Sequence, residues 1–414
     1  MTRKQIIYTL PFFIVLMGII SPNQWSILPI GGDAFTWLVS FLLIIIVLYY
    51  KKLFFHPSNI SDYFLVKIYF IWVFFSTIRG AFVAENYWEW KQLINGFLAL
   101  SLPIFVYVFS IPWILRNTLK MWLKYCIPLF FVFYLWSLKR LAFHFYLGPI
   151  YILGCFLPLL AKKWRFIVGG LLVLMLFIDL GGRSQVLKAL FVLMLALVCY
   201  WRHYIPIWCY KVAHWFFYIL PIILLFLGIS GIFNVFEDLS SNEGKYKETR
   251  IVDGKIVEED LSADTRTFIY EEVIASSILH DYWLIGRTPA RGNDSEAFGA
   301  YLGEVLGTGK YERHKNELCF PNVFTWTGII GMILYCLLYL KASYLAVYKS
   351  NNIFLKSVGV FIAFRFTYGW VEDFNSFSIM NISLWMVIAM GFSEKFRRMN
   401  DREFKYWISG IVKF

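Results

Sequence analysis

Charge is scarce in this chain. Only 16% of its 414 residues are Asp, Glu, Lys or Arg, while 59% are hydrophobic. A soluble protein of this length could not hide that much apolar surface. Cysteine is scarce too, with six residues: Cys126, Cys155, Cys199, Cys209, Cys319 and Cys336. None has CxxC or metal-ligand spacing, so they read as small core residues rather than a disulfide framework or a zinc site. No Asp-x-Asp pair stands on an outward loop, and neither a metal-dependent mechanism nor a cofactor is indicated. There is no internal repeat. The net charge is +12, but the basic residues are scattered over the ends of apolar runs. They form no stripe, which argues against nucleic-acid binding. Arg3 and Lys4 precede an apolar run as in a signal peptide, yet no small-residue cleavage site follows Pro22, so the run reads as a first span.

What the chain does have is a series of apolar runs flanked by charges, each long enough to suggest a transmembrane helix. Twelve spans are expected, with cores at Ile6–Ile20, Phe35–Tyr50, Tyr63–Val83, Leu93–Phe109, Met121–Leu138, Phe145–Leu160, Phe166–Leu180, Val186–Trp201, Val212–Phe233, Asn322–Ala342, Ile353–Trp370 and Ile379–Phe392. The fold class is therefore an all-α polytopic membrane protein, one integral-membrane domain over residues 1–414 with the lipid bilayer as its first partner. Aromatic residues make up 21% of the chain. Many sit at run ends, as interfacial belts require: Trp37, Tyr49, Tyr50, Trp113, Trp164 and Trp201. Pro11, Pro103, Pro128, Pro158 and Pro221 lie inside runs and should kink them, which membrane bundles tolerate.

With both termini placed in the cytoplasm, the cytoplasmic segments hold 22 Lys and Arg, and the short outer loops and outer span ends hold seven. That bias predicts that the one long loop, residues 234–322, faces outward, which for a bacterial inner-membrane protein is the periplasmic side. The loop carries 17 of the 27 acidic residues and ten of the 39 basic ones. It divides into an acidic, hairpin-like part at 237–262, an amphipathic helix at 264–280 and a glycine-rich part at 286–309 that reads as irregular. In the first part Asp253-Gly254, between apolar pairs, favours a tight primed turn. In the second, Phe268, Ile269, Val273, Ile274 and Ile278 follow helical spacing, with Ser262 or Asp264 as cap, and the helix could lie on the membrane surface.

Chemistry is expected where ionisable groups meet lipid. Arg183 follows Asp179-Leu180-Gly181-Gly182 at the outer end of the seventh span. It either snorkels to headgroups or serves a site at the kink. Arg365 lies inside the eleventh span, where a charge is expensive unless paired, and Glu372 and Asp373 follow it. Arg266 and Arg287 bracket the loop helix, and Arg291 follows. A cation in a helix's first turn is mildly unfavourable unless it faces an anion, and guanidinium suits phosphate because it is always charged and binds bidentately. Each of these arginines taken singly reads as a solvated or paired residue; several gathered over a membrane mouth would suit a pyrophosphate-linked lipid. Of the outward histidines His144, His280 and His314, only His314 is crowded by other polar groups, Arg313, Asn316 and Glu317.

Taken together, the twelve spans, the long loop between the ninth and tenth, Gly182-Arg183-Ser184, Arg266 heading a helix that runs to Trp283-Leu284-Ile285-Gly286-Arg287, and Gly328 to Gly331 opening the tenth span resemble the O-antigen ligase and O-antigen polymerase superfamily. The resemblance implies a metal-independent glycosyltransferase acting in lipopolysaccharide or other envelope polysaccharide biosynthesis. Its donor would be an oligosaccharide on undecaprenyl pyrophosphate, its acceptor a glycan, and its partners other envelope polysaccharide assembly proteins. Arg183 and Arg266 match the family arginines that hold the pyrophosphate, with Arg287, Arg291 and Arg365 as further candidates. A basic residue at the loop's end would activate the acceptor hydroxyl. Ligases place a His eleven residues before the first Gly of Gly-x-x-Gly; this chain has Glu317 there and His314 three residues earlier. On a helix the two would share a face, and a carboxylate can serve as general base. Glu317 and His314 are thus the catalytic candidates, with Glu372 and Asp373 behind them, and pairing of Glu317 with Arg313 or Lys315 is the bland alternative. The departure favours polymerase over transfer to lipid A core. An exporter of lipid-linked oligosaccharide is a further reading, but it predicts repeated halves and leaves the loop idle. A non-catalytic scaffold that uses the loop for docking is the last.

Overall fold

The computed structural model describes residues 3–139, 142–178, 183–230, 247–252, 255–260, 267–296, 298–305 and 307–413. The first half holds α1 (Arg3–Ile20), α2 (Asp33–Phe54), α3 (Phe64–Val83), α4 (Tyr87–Leu100), α5 (Phe105–Phe109), α6 (Pro112–Leu129), α7 (Leu135–Ser137), α8 (Phe143–Tyr146), α9 (Gly148–Cys155), α10 (Lys162–Phe177), α11 (Arg183–Tyr200) and α12 (Ile207–Ile229). The loop region contributes β1 (Lys247–Val252), β2 (Lys255–Asp260), α13 (Thr267–Leu279), β3 (Asn293–Asp294), α14 (Gly299–Val305) and β4 (Glu312–Arg313). The chain then continues through α15 (Cys319–Tyr348), α16 (Ile353–Tyr368), α17 (Ile379–Phe392), α18 (Glu394–Arg398) and α19 (Asp401–Ile411). Among the described residues seven helical segments are long and apolar enough to cross a membrane, and two shorter apolar helices, Ser184–Tyr200 and Ile379–Phe392, accompany them. The architecture is consistent with an all-α membrane protein. Large apolar side chains on the outside of the bundle, such as Phe82, Val132 and Phe226, suit a lipid solvent.

The centre of the bundle is α17, fully buried along its length and packed against α5, α9, α15 and α16. Proline shapes several of the apolar runs. Pro103 sits in a short 3-10 turn that separates α4 from α5, because it lacks an amide hydrogen and its ring crowds the preceding turn. Pro128 ends α6 at a π turn, Phe130–Tyr134. The run Phe145–Leu160 is not one helix. It breaks at Leu147 and again at Phe156, with Pro149 and Pro158 each just inside the next turn, a position proline tolerates.

In the loop region β1 pairs with β2 antiparallel, Val252 opposite Lys255; Asp253 and Gly254 lie outside the described residues, as do the acidic run to residue 246 and the candidate caps Ser262 and Asp264. The helix α13 does not carry one apolar stripe. Ile269 and Val273 are buried with Leu318, whereas Ile274, Ile278 and Leu279 on the other side are exposed. One face docks on the start of α15 and the opposite face is left apolar and exposed. The glycine-rich part is more ordered than its composition suggests. It contains α14, and β3 pairs with β4, Asn293 opposite Arg313. Gly292 permits that ribbon, since a Cβ there would stand 2.1 Å from the Arg313 carbonyl oxygen.

Candidate functional site: a polar floor beneath a docked loop

Two glycine motifs far apart in the chain, at Gly286 and Gly328, meet. Helix α15 is broken at Gly328, whose φ is 68° and ψ −175°. The freed backbone groups are taken up by the segment after α13: Ile329 N–H donates to the Trp283 carbonyl (2.9 Å), and Arg287 N–H donates to the Thr325 carbonyl (2.7 Å). Arg79 of α3 donates to the carbonyls of Ile285 (2.9 Å) and Gly286 (3.2 Å), and the Trp72 indole to that of Thr327 (2.9 Å). A Cβ at Gly286 would lie 2.5 Å from Gly328 N, and a Cβ at Gly328 2.3 Å from the Leu284 carbonyl oxygen. Both glycines are required by this close approach and by positive φ. Irregular backbone beside membrane helices is tolerated where protein satisfies it, and here it locks the loop onto the bundle.

The loop is fastened further by a set of ion pairs. Arg291 grips Glu312 bidentately, with its Nε 2.9 Å from Oε2. Arg287 bonds Asp294 (2.9 Å) and Glu312 (3.1 Å), and His280 bonds Asp294 (2.5 Å). Lys310 reaches back to Glu85 (2.8 Å) and to Glu89 of α4 (2.5 Å). Burial works to raise the Glu312 carboxyl, but the Arg291 hydrogen bonds and the charges of Arg287 and Arg291 outweigh it and hold the group below the usual range. The guanidinium groups of Arg287 and Arg291 are thus committed to carboxylates of the chain itself.

Beneath the start of α13 and the loop's end lies a second polar group, at the loop end of the bundle. Lys188 of α11 is 2% exposed and Arg365 of α16 is 3% exposed. Both point at Glu372, at 2.6 Å and 3.4 Å, and Ser184 Oγ and Gln185 Nε2 each donate to its Oε1 at 3.2 Å. Burial would raise the Glu372 carboxyl; the charges of Lys188 and Arg365 outweigh it and bring the pKa down to about 2. Arg365 therefore has the carboxylate partner that a buried cation demands. The neighbouring Asp373 pairs with Lys315 (2.7 Å) and accepts from Asn322 (3.2 Å). The Tyr270 hydroxyl of α13 donates to the Trp370 carbonyl, and Cys319 N–H to that of Glu372 (3.1 Å).

The expected site residues divide accordingly. Arg365 belongs to the floor, while Arg287 and Arg291 belong to the fastening of the loop. Arg183 opens α11, but its side chain, like the whole of Arg266, lies outside the described residues. His314 and Glu317 do not share a helical face: β4 ends at Arg313, α15 starts at Cys319, and the residues between them are irregular. His314 is largely enclosed, its carbonyl accepting from Gln92 (3.2 Å) and Trp326 (3.3 Å), with Nε2 unpartnered among the described residues. Burial lowers its pKa, against the pull of Glu312 and Glu89. Glu317 is 59% exposed at its side chain and pairs with Arg313 at 3.5 Å. Sequence reasoning missed Lys188, which looks like one more charge at a span end, and Glu89, whose link to Lys310 spans 221 residues. Among the described residues no three His, Cys, Asp or Glu side chains gather as a metal site would require. Comparison with protein-family models, with curated proteins and with solved structures returns no match.

Proposed function

We propose that this chain is an envelope polysaccharide polymerase of the O-antigen polymerase and ligase type. It crosses the bacterial inner membrane twelve times, keeps both termini in the cytoplasm and presents residues 234–322 to the periplasm. It moves an oligosaccharide from undecaprenyl pyrophosphate to a glycan acceptor without a metal. The observation that carries this reading is a convergence. Ser184, next to Arg183, bonds Glu372, and Tyr270, four residues after Arg266, bonds Trp370. The two stretches that bear the expected pyrophosphate arginines are thus tethered to one three-residue segment, at the bundle's loop end, beside the buried cations Lys188 and Arg365.

In the reaction the acceptor hydroxyl oxygen attacks the anomeric carbon. The bond from that carbon to the pyrophosphate oxygen breaks, and its electron pair leaves on the pyrophosphate. Arg183 and Arg266 stabilise the charge that develops there. Glu317 takes the hydroxyl proton; it is the exposed member of the pair of base candidates, whereas His314 is enclosed and its carbonyl anchors the loop end to Gln92 and Trp326. The test is the purified protein with lipid-linked repeat units, read as glycan length, alongside deletion of the gene. Polymer from single repeats in vitro, and single-repeat surface glycan after deletion, are expected. Intact lipid-linked polymer that fails to reach lipid A core after deletion would replace polymerase by ligase. Repeat units trapped on the cytoplasmic side would replace it by exporter.

A further inference from the structure

The end of the loop is held by side chains where it has no ladder of its own. Residues 314–318 lie between β4 and α15 and form neither helix nor strand. Such backbone keeps its dihedrals only where other groups take up its N–H and C=O. Here the first turn of α15 does so. Asn322 Oδ1 accepts from the Asn316 N–H at 2.7 Å, and Asn322 Nδ2 donates to the Asn316 carbonyl at 2.8 Å. One side-chain amide thus faces Asn316 as the peptide of a neighbouring strand would. Asn316 Nδ2 in turn donates to Asn293 Oδ1 of β3 at 2.8 Å.

The direction of that amide is itself fixed. Asn322 Nδ2 also donates to Asp373 Oδ1 at 3.2 Å, and Asp373 accepts from the Asn375 N–H (2.9 Å) and pairs with Lys315 (2.7 Å). Turned over, the amide would set Nδ2 against the Asn316 N–H. Its Oδ1 would then face both the Asn316 carbonyl and the carboxylate. Asp373 therefore decides which way Asn322 faces, and Asn322 holds Asn316. Asn322 is 1% exposed and Asn316 4% exposed. A buried amide costs free energy unless it is bonded, and α15 is otherwise apolar enough to cross a membrane. Asn322 lies too deep to touch a substrate, so whatever it does for the surface it does through Asn316.

The consequence falls on Glu317. The Asn316 carbonyl and the Glu317 nitrogen belong to one planar peptide. The grip on Asn316 thus sets the direction in which Glu317 leaves the backbone, while its side chain stays 59% exposed. A general base serves only within hydrogen-bond reach of its proton, and a loop keeps such geometry only with support from residues behind it. We infer that Asn322, oriented by Asp373, is the positioning residue for the base at the loop's end. The grip stands on its hydrogen bonds; that Glu317 is the base rests on the function proposed above.

The experiment uses the full-length protein in nanodiscs. Asn322→Leu removes all three side-chain bonds with a residue of similar size that suits a membrane helix. Asn322→Asp is milder, keeping the bond to the Asn316 N–H and losing the two that Nδ2 donates. Amide hydrogen exchange over residues 313–318 should speed up by ~5-fold or more in Asn322→Leu, the scale of a lost buried hydrogen bond. It should rise less in Asn322→Asp, and stay unchanged in both over residues 285–296, which the ion pairs fasten. In transfer from lipid-linked repeats, Asn322→Leu should lose ~10- to 100-fold in kcat, the scale of a base misplaced by about 1 Å, with the donor KM unchanged. Added to Glu317→Gln, it should cost no further rate, because no base is left to position. A full further loss in that double variant would overturn the positioning role. So would a fall in kcat that only follows loss of folded protein, or full activity in Glu317→Gln beside a slow Asn322→Leu. Unchanged exchange over residues 313–318 would overturn the grip, whatever happens to transfer. Faster exchange there in a protein whose wild type transfers no glycan would keep the grip and count against the polymerase alone.

Discussion

The two polar regions of this protein are built from the same residue types to opposite ends. In the loop, three cations, Arg287, Arg291 and Lys310, face four carboxylates, Glu85, Glu89, Asp294 and Glu312. Acid is in excess, each guanidinium is spoken for, and the network ties the loop to α4 and to itself. In the floor, two buried cations share one carboxylate among the described residues, and the described residues offer the Tyr151 hydroxyl beside them no partner. A network in excess of acid commits its cations to the chain; two cations on one carboxylate are committed less fully. The difference warns against reading an arginine in an outer loop as a phosphate ligand from its position alone, because what decides is whether the chain supplies the anion.

The comparison is tested most strongly by glycosyl transfer. Arg183→Ala and Arg266→Ala should each abolish polymer formation at unchanged protein abundance, with Lys a partial substitute because it cannot bind bidentately. Arg287→Ala and Arg291→Ala should act through stability instead, with activity per folded molecule largely kept. Loss of transfer in a fully stable Arg291→Ala protein would move that residue from fastener to ligand.

The next effect is at the base. Glu317→Gln keeps shape and hydrogen bonding but removes the proton acceptor, and should cost ~10²- to 10⁴-fold in rate. His314→Ala should cost less in rate and more in thermal stability, since the ring is enclosed by the docked loop. The reverse order in an assay with lipid-linked repeats would make His314 the base.

A smaller effect separates fastening from binding by non-additivity. Arg291→Met alone leaves the buried Glu312 with Arg287 as its remaining cation and should destabilise by about 1–3 kcal/mol, whereas Arg291→Met with Glu312→Leu should recover part of that loss. Denaturation of the purified protein under identical detergent conditions reads both. Equal destabilisation of single and double variants would mean that the pair is not the fastening.

The smallest is a pH dependence of the floor. Glu372 is held at about 2 in the folded protein, below its ordinary range, so its contribution is fully present above pH ~4.5 and is lost as pH falls towards 2. The contribution is on the order of 3 kcal/mol. Wild-type melting temperature should drop over that interval more steeply than that of Glu372→Gln. Parallel curves would show that other groups dominate the acid response.

Much of this was legible from residues alone. The apolar runs announce helices in lipid, and the spacing of Ile269 and Val273 announces a helix where α13 stands. The wish of Arg365 for a carboxylate was legible from its place in an apolar run. Other features were not. Apolarity summed over Phe145–Leu160 says nothing of the breaks that Pro149 and Pro158 introduce into it. The spacing of His314 and Glu317 suits a helix, yet the β3–β4 pairing claims the backbone just before them.

What the sequence by itself determined is the solvent of each stretch. Transfer of a side chain into lipid is nearly local and additive, so composition over about twenty residues decides it. What only the tertiary structure decided is partnership. Gly286 meets Gly328, Lys310 meets Glu89, and Lys188 meets Glu372 across 184 residues. The strength of a charge pair depends on distance and burial rather than on position in the chain. Two arginines that look alike in the sequence therefore end in different places, Arg291 on Glu312 within the loop and Arg365 on Glu372 in the bundle.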